Sequence, residues 1–222
     1  MALTLLLQAK TVGLGSLILA GGWLMIPLFA LSAISIFIFF ERASIIRKAT
    51  ERDNKFLSKV GSLLQKGQYD NAILLCRQKK SPMGRMIEKG ITMIGRPTSE
   101  IHAAIENVGN LEVSRLEKGL PFLATVSGGA PMIGFLGTVI GMVQAFMNLS
   151  EAGGGSVDMQ LLSSGIYTAM ITTVAGLVVG IPAYFGYNFL VARIEKIVFE
   201  MEANSMAFID MINTQFGEDY GN

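Results

Sequence analysis

The chain has 222 residues, of which 51% are hydrophobic and 16% charged, and its mean hydropathy is +0.49. That balance argues against a soluble globular domain and for a membrane protein. A net charge of +1 points to no particular partner, so the informative quantity is where the charges lie.

Residues 11–40, 119–150 and 159–192 carry no Asp, Glu, Lys, Arg or His. Each run exceeds the roughly 20 residues that a helix needs to cross a bilayer, so three spanning helices are expected. Fifteen of the eighteen Lys and Arg residues lie between Arg42 and Lys118, two more are Arg193 and Lys196, and Lys10 alone precedes the first run. An excess of cations marks the cytoplasmic side, so residues 41–118 and the tail 193–222 are expected inside, with the N-terminus and the loop 151–158 outside.

In chain order, residues 1–16 form an outer-side segment whose polar positions Thr4, Gln8 and Lys10 make only a weak amphipathic pattern. No basic leader precedes the apolar Leu5, Leu6 and Leu7, so this end is expected to stay attached. The first span covers residues 17–40, with Trp23 near the outer boundary, Pro27 a candidate kink, and Glu41 and Arg42 at the inner interface. Residues 41–118 read as a cytoplasmic helical domain with Phe56, Val60, Leu63 and Leu64 at helical spacing, then Ala72, Ile73, Leu75 and Cys76. Breaks fall at Lys66-Gly67-Gln68, Ser81-Pro82 and Gly95-Arg96-Pro97. Thr98 or Ser99 then caps a helix with Ile101, Ile105, Val108 and Leu111 on one face. That helix is expected to run straight into the second span, residues 119–150, as a rod of roughly 78 Å, bent at Pro121 and Pro131.

Small residues dominate one side of the second span: Gly137 and Gly141 form a G-x-x-x-G pair, and Ala130 and Gly134 continue it. The third span, residues 159–192, repeats the design with Gly176 and Gly180 and has Pro182 inside. Lipid offers no hydrophobic drive between helices, so strips without side chains predict close packing against protein. Beyond Arg193 the spacing of Ile194, Ile197, Val198, Met201, Phe208, Ile209, Ile212 and Phe216 continues the helix, with a stripe expected to pack on the Ile101 helix.

With no Asp, Glu, Lys, Arg or His in its spans, this chain alone cannot hold a proton in the membrane. It offers hydroxyls instead: Thr138 in the second span and Thr168, Thr172 and Thr173 in the third, with Thr125 and Ser127 nearer the inner end. Thr138 and Thr173 facing one cavity would orient water around a carboxylate supplied by another polypeptide. On residue types alone the commoner reading is that each hydroxyl bonds back to the carbonyl of residue i−4. A single His, His102, and a single Cys, Cys76, leave nucleophile and base pairings without partners, and no metal site or cofactor is expected. Gly153 to Gly155 read as a linker, and the basic run Arg77 to Lys80 as a solvated or headgroup-facing surface rather than a nucleic-acid site.

Three stretches carry a resemblance: Gly21-Gly-Trp-Leu-Met-Ile-Pro27, Ala130-Pro-Met-Ile-Gly-Phe-Leu-Gly-Thr-Val-Ile-Gly-Met142, and Gly165-Ile-Tyr-Thr-Ala-Met-Ile-Thr-Thr-Val-Ala-Gly-Leu177 with Ile181-Pro-Ala183. In this order the chain resembles the MotA/TolQ/ExbB proton channel family, and within it an ExbB-like protein. The resemblance implies an all-α polytopic inner-membrane protein with long cytoplasmic helical extensions, assembled as a pentameric ring around a pair of single-span helices from an ExbD-like partner whose membrane aspartate carries the proton. It implies that Thr138 and Thr173 are pore hydroxyls facing that aspartate, with Thr172 and Thr168 beside them, and that a TonB-like protein receives the work. Many ExbB-like sequences have a glutamate where Thr168 stands, so that residue's role is absent or relocated here. A TolQ-like envelope motor, a non-conducting membrane scaffold and a transporter subunit are the rival readings.

Overall fold

The computed structural model describes residues 21–49, 55–151 and 159–216. The expected outer segment 1–16, the first four residues of the span begun at residue 17, nearly all of the loop 151–158 and the last six residues lie outside these. Among the described residues there are seven helices and no strand. They are α1 (Met25–Ala49), α2 (Phe56–Gln65), α3 (Tyr69–Lys79), α4 (Pro82–Thr92), α5 (Thr98–Glu117), α6 (Leu120–Glu151) and α7 (Met159–Phe216). Three helical stretches are long and apolar enough to cross a membrane, as the charge-free runs predict. The described residues divide into two compact units: a span unit within residues 1–39 and 121–187, and a polar unit within residues 40–120 and 188–222.

The span unit buries Met25, Leu28, Val126, Ala130 and Ala183, with Leu31, Phe122, Ile133, Ala175 and Val179 packed against them. Its outward surface is apolar too: Phe37, Phe135, Phe146, Val178 and Phe185 are all exposed, the arrangement lipid requires and water penalises. Pro27 falls in the first turn of α1, where the missing N–H would have had no helical partner, so it starts this helix rather than kinking it. Pro131 does lie inside α6. A Cβ on Gly180 of α7 would stand 2.6 Å from the Pro131 ring and 3.0 Å from the Ser127 carbonyl, the oxygen whose i+4 donor proline removes. A bare backbone on the neighbouring helix therefore accommodates the defect.

The same economy runs along the whole α6 and α7 contact, which pairs the two helices antiparallel. A Cβ on Gly134 would stand 2.8 Å from the Thr172 carbonyl, and one on Gly137 would strike the Thr172 side chain. One on Gly141 would stand 2.9 Å from the Ala169 Cβ, and one on Gly176 would meet the Ala130 carbonyl at 2.6 Å. Gly165 faces Ala145 in the same way. Both G-x-x-x-G pairs are thus halves of one intrachain seam, packed through backbone atoms that cannot rotate aside.

The polar unit is an ordinary soluble core: Phe56, Val60, Leu64, Ala72, Cys76, Ile87, Ile91, Ile105, Met201 and Phe208 are buried. Its helices end where turn residues stand. Gly67, at φ +70°, closes α2 with Gln68 and Gly67 N–H groups donating to the Leu63 and Leu64 carbonyls at 3.0 and 2.9 Å, a Schellman arrangement. Ser81 caps α4 by accepting from the Gly84 N–H at 3.1 Å, ahead of Pro82. On α5 the cap is not Thr98 or Ser99 but Pro97, whose carbonyl accepts from the N–H groups of Glu100 and Ile101. The face of α5 that turns inward holds Ile101, Ile105, Gly109, Glu112 and Leu116, while Leu111, expected on that face, is exposed. Opposite it, Met201 of α7 approaches Gly109, so the C-terminal stripe packs on the Ile101 helix.

Glu112 explains the turn of that face. It is buried and paired with Arg85 of α4 and with Arg115, at 2.6 Å, while Arg42 of α1 donates to the Arg115 carbonyl at 3.4 Å. A carboxylate taken out of water persists only with such partners. The expected rod from Thr98 through the second span does not form: α5 stops at Glu117, Gly119 adopts φ +84°, and α6 starts at Leu120. Only glycine takes that conformation without strain, and Pro121, the second residue of α6, suits a first turn rather than a helix interior.

Two measurements follow. Gly176→Ala should lower thermal stability by about 1–3 kcal/mol because its methyl would meet the Ala130 carbonyl, whereas Gly128→Ala, whose methyl meets nothing, should be neutral or stabilising by about 0.5–1 kcal/mol. Equal effects of the two would mean the seam is not tight. Burial, with Glu88 nearby and only partly offset by Lys79, pushes the Cys76 thiol from 9.0 up to about 12. That lowers its thiolate population roughly a thousandfold, so maleimide labelling at pH 8 should be that much slower in the native protein than in denaturant.

Candidate functional site

Five threonines lie in the second and third spans: Thr125 and Thr138 on α6, and Thr168, Thr172 and Thr173 on α7. The seam decides which of them meet. Because Gly134, Gly137 and Gly141 leave no side chains between the helices, backbone carbonyls of one come within reach of hydroxyls on the other. The Thr138 and Thr173 hydroxyls hydrogen-bond each other across the seam. Thr138 also reaches the Ala169 carbonyl of α7 at 3.2 Å and the Gly134 carbonyl of its own helix at 3.4 Å. Thr173 reaches the same Gly134 carbonyl at 3.1 Å.

Each hydroxyl has one proton to give and two lone pairs to fill. Thr138 can donate to a carbonyl while accepting from Thr173, or Thr173 can donate to the Gly134 carbonyl while accepting from Thr138. The pair therefore has two polarities built from the same atoms. Both side chains are half-buried, so neither is sealed from an approaching group. The fold thus answers the choice between cavity-facing and back-bonding hydroxyls with a third arrangement, in which the principal bonds cross between helices.

Elsewhere the back-bonding pattern holds. Thr125 donates to the Pro121 carbonyl at 2.9 Å and Ser127 to the Ala124 carbonyl at 2.7 Å. Thr172 donates to the Ala169 carbonyl at 2.8 Å and is 1% exposed, pressed into the space that Gly137 leaves open. Thr168, one turn earlier on the same face, is half-buried and makes none of the bonds of the Thr138 and Thr173 cluster. Sequence reasoning missed the acceptors, since Ala169 and Gly134 act through their carbonyls. The available signal was the spacing of Gly165, Ala169, Thr172, Gly176 and Gly180, which keeps one narrow face along α7.

The sequence pattern of the MotA/TolQ/ExbB proton channel family matches residues 78–203, which include α4, α5, all of α6 and most of α7. The chain belongs to that family. Among relatives, it is 30% identical over 178 residues to a biopolymer transport protein ExbB homolog of Methanothermobacter thermautotrophicus, a match covering 78% of this chain and 62% of that one. It is 26% identical over 163 residues to biopolymer transport protein ExbB-like 3 of Synechocystis, covering 73% and 78%. It is 42% identical over 105 residues to the Tol-Pal system protein TolQ of Haemophilus influenzae, covering 47% and 43%. The chain therefore spans under two thirds of the first of these and under half of the last. For a MotA/TolQ/ExbB family member the matched region holds both partners of the hydroxyl pair and the whole described seam.

A double-mutant cycle of Thr138→Val and Thr173→Val, read by thermal unfolding in lipid, tests the pair. Interhelical hydrogen bonds in membranes average about 0.6 kcal/mol, and a coupling energy of that order is expected. Additive effects would show that the two hydroxyls bond only within their own helices.

Proposed function

We propose that this chain is the ring-forming subunit of a proton-driven inner-membrane motor, with its N-terminus periplasmic and its C-terminus cytoplasmic. The observation that carries this reading is a pair of interhelical hydroxyls, Thr138 and Thr173, set in spans that contain no Asp, Glu, Lys, Arg or His. A proton crossing such a site needs a carboxylate, and here another polypeptide must bring it. The partner is an ExbD-like single-span protein with a membrane aspartate, enclosed by a pentamer of this chain.

In this reading the hydroxyl pair meets the partner's carboxyl group and matches its protonation state. A carboxylate needs donors, and a protonated carboxyl needs an acceptor for its O–H. By exchanging which hydroxyl donates to a carbonyl, Thr138 and Thr173 can serve either form without moving a helix. Thr172 and Thr168 extend the polar path along α7. The seam residues Gly134, Gly137, Gly141, Gly176 and Gly180 hold the two threonines at one level, and lipid covers the exposed apolar faces.

Work passes to a TonB-like protein that energises outer-membrane transport, in keeping with relatives named biopolymer transport proteins. A TolQ-like role in an envelope system is the second reading, favoured by the 42% identity to a TolQ protein over 105 residues.

Proton uptake by proteoliposomes holding this chain and its co-expressed partner tests the assignment. Losing one donor to a developing charge costs about 1–3 kcal/mol, so Thr138→Val and Thr173→Val should each slow uptake by roughly tenfold to a hundredfold. Wild-type rates in both would remove the hydroxyls from the pathway.

A further inference from the structure

A second site lies in the polar unit, where the C-terminal half of α1 meets α7. Ala43, Ile46, Arg47, Phe189, Leu190 and Arg193 line a cleft of about 370 Å³. Its floor is apolar, and among the described residues that line it the charges are two guanidiniums. Arg193 lies over the Phe189 ring at 5.2 Å, which orients its planar fork, and Arg47 approaches from the other helix. Among the described residues neither arginine pairs with a carboxylate, in contrast to Arg42, Arg77, Arg85, Arg96 and Arg115, each of which does.

The position along the chain says what could neutralise them. Arg193 is the first charge after the third apolar run, and Arg47 stands seven residues past Phe40, the end of the first, or about 10 Å along the helix. Side chains on a helix lean toward its N-terminus, and in both α1 and α7 that is the direction of the span. Both guanidiniums therefore lean back toward the headgroup layer, which begins where the hydrocarbon ends. Tyr184 and Tyr187, one to three turns before Arg193, are the aromatic residues typical of that depth.

The opposite side of α7 differs in sign. At the same level, a groove of about 380 Å³ between α5 and α7 carries Glu117, Glu195 and Glu202 on its rim. An anionic lipid is repelled there and attracted at the arginine cleft, so one face of the helix selects it.

We propose that the Arg47 and Arg193 cleft binds the phosphate headgroup of an anionic phospholipid, with the upper part of an acyl chain lying along Ile46, Leu190 and Phe189. The two guanidiniums hold the phosphodiester through charge-assisted, bidentate hydrogen bonds. The lipid supplies the counter-charge that the described residues leave out. This site stands on the membrane reading alone and does not depend on proton conduction.

The test uses the full chain in nanodiscs of phosphatidylcholine doped with phosphatidylglycerol, with lipid occupancy read by native mass spectrometry and by thermal shift. The wild type should prefer phosphatidylglycerol by about tenfold or more, the effect of two interfacial cations. Arg47→Gln with Arg193→Gln should abolish that preference, each single variant should weaken it, and Lys48→Gln, which removes one charge from the neighbouring exposed residue, should leave it. Native-like protection of Cys76 from maleimide checks that the double variant is folded. The proposal fails if the folded double variant keeps the preference, if Lys48→Gln lowers it equally, or if inorganic phosphate alone gives the same thermal shift. It also fails if the double variant loses oligomeric mass while keeping its lipid preference, because a second copy of the chain would then be the occupant.

Discussion

The α6 and α7 seam is the constraint on which the span unit depends. Two apolar helices in lipid gain nothing from burying leucines against each other, because hydrocarbon surrounds them either way. What holds them is close approach, and close approach requires that Gly134, Gly137, Gly141, Gly165, Gly176 and Gly180 have no Cβ. Once the backbones are that near, carbonyl oxygens become the neighbouring helix's surface. Hydrogen bonds from Thr138 to the Ala169 carbonyl and from Thr173 to the Gly134 carbonyl are direct consequences. The same closeness absorbs Pro131, whose ring and freed Ser127 carbonyl rest against Gly180. Packing and polarity in this unit therefore have one cause.

The polar unit solves the opposite problem. It has water to exclude, so it buries large side chains such as Phe208 and Leu64 in the ordinary way, and it can tolerate one inward carboxylate because cations are plentiful. Glu112 draws Arg85 and Arg115 to itself, and the Arg115 carbonyl takes a bond from Arg42. Elements far apart in sequence are tied by a cluster that would cost several kcal/mol if one member were left alone. Charge is thus kept out of the spans and used as a fastener outside them.

Much of this was legible beforehand. Charge-free runs identify spans because lipid admits few alternatives, and the stops at Gly67, at Ser81 with Pro82, and at Pro97 follow from local backbone chemistry that needs no tertiary context. The break at Gly119 was not legible, since a glycine inside a helical pattern costs only about 1 kcal/mol and looks the same whether φ is negative or positive. The apolar pattern places Leu111 on the inward face of α5, whereas the arginine of another helix, Arg85, pairs with Glu112 and turns that residue inward instead. Thr138 and Thr173 could be named as hydroxyls, but their acceptors are main-chain atoms with no signature in residue type.

That last gap bears on how a hydroxyl pair can serve a moving charge. A threonine bonded only to its own i−4 carbonyl has its proton fixed by the helix, and reversing it means losing the bond. Thr138 and Thr173 instead share the Gly134 carbonyl between them, have the Ala169 carbonyl as a further acceptor and have each other as a third. Rotation about the Cβ–O bond then exchanges one complete set of bonds for another, at a cost near that of a hydroxyl turn rather than of a bond broken in lipid. Such a pair can face an acid or its conjugate base with the same backbone. On the proposed reading this is why the ring subunit needs no charge of its own: its task is to be equally well bonded before and after a neighbour's carboxyl group changes state, and an ionisable side chain at that position would commit it to one of the two.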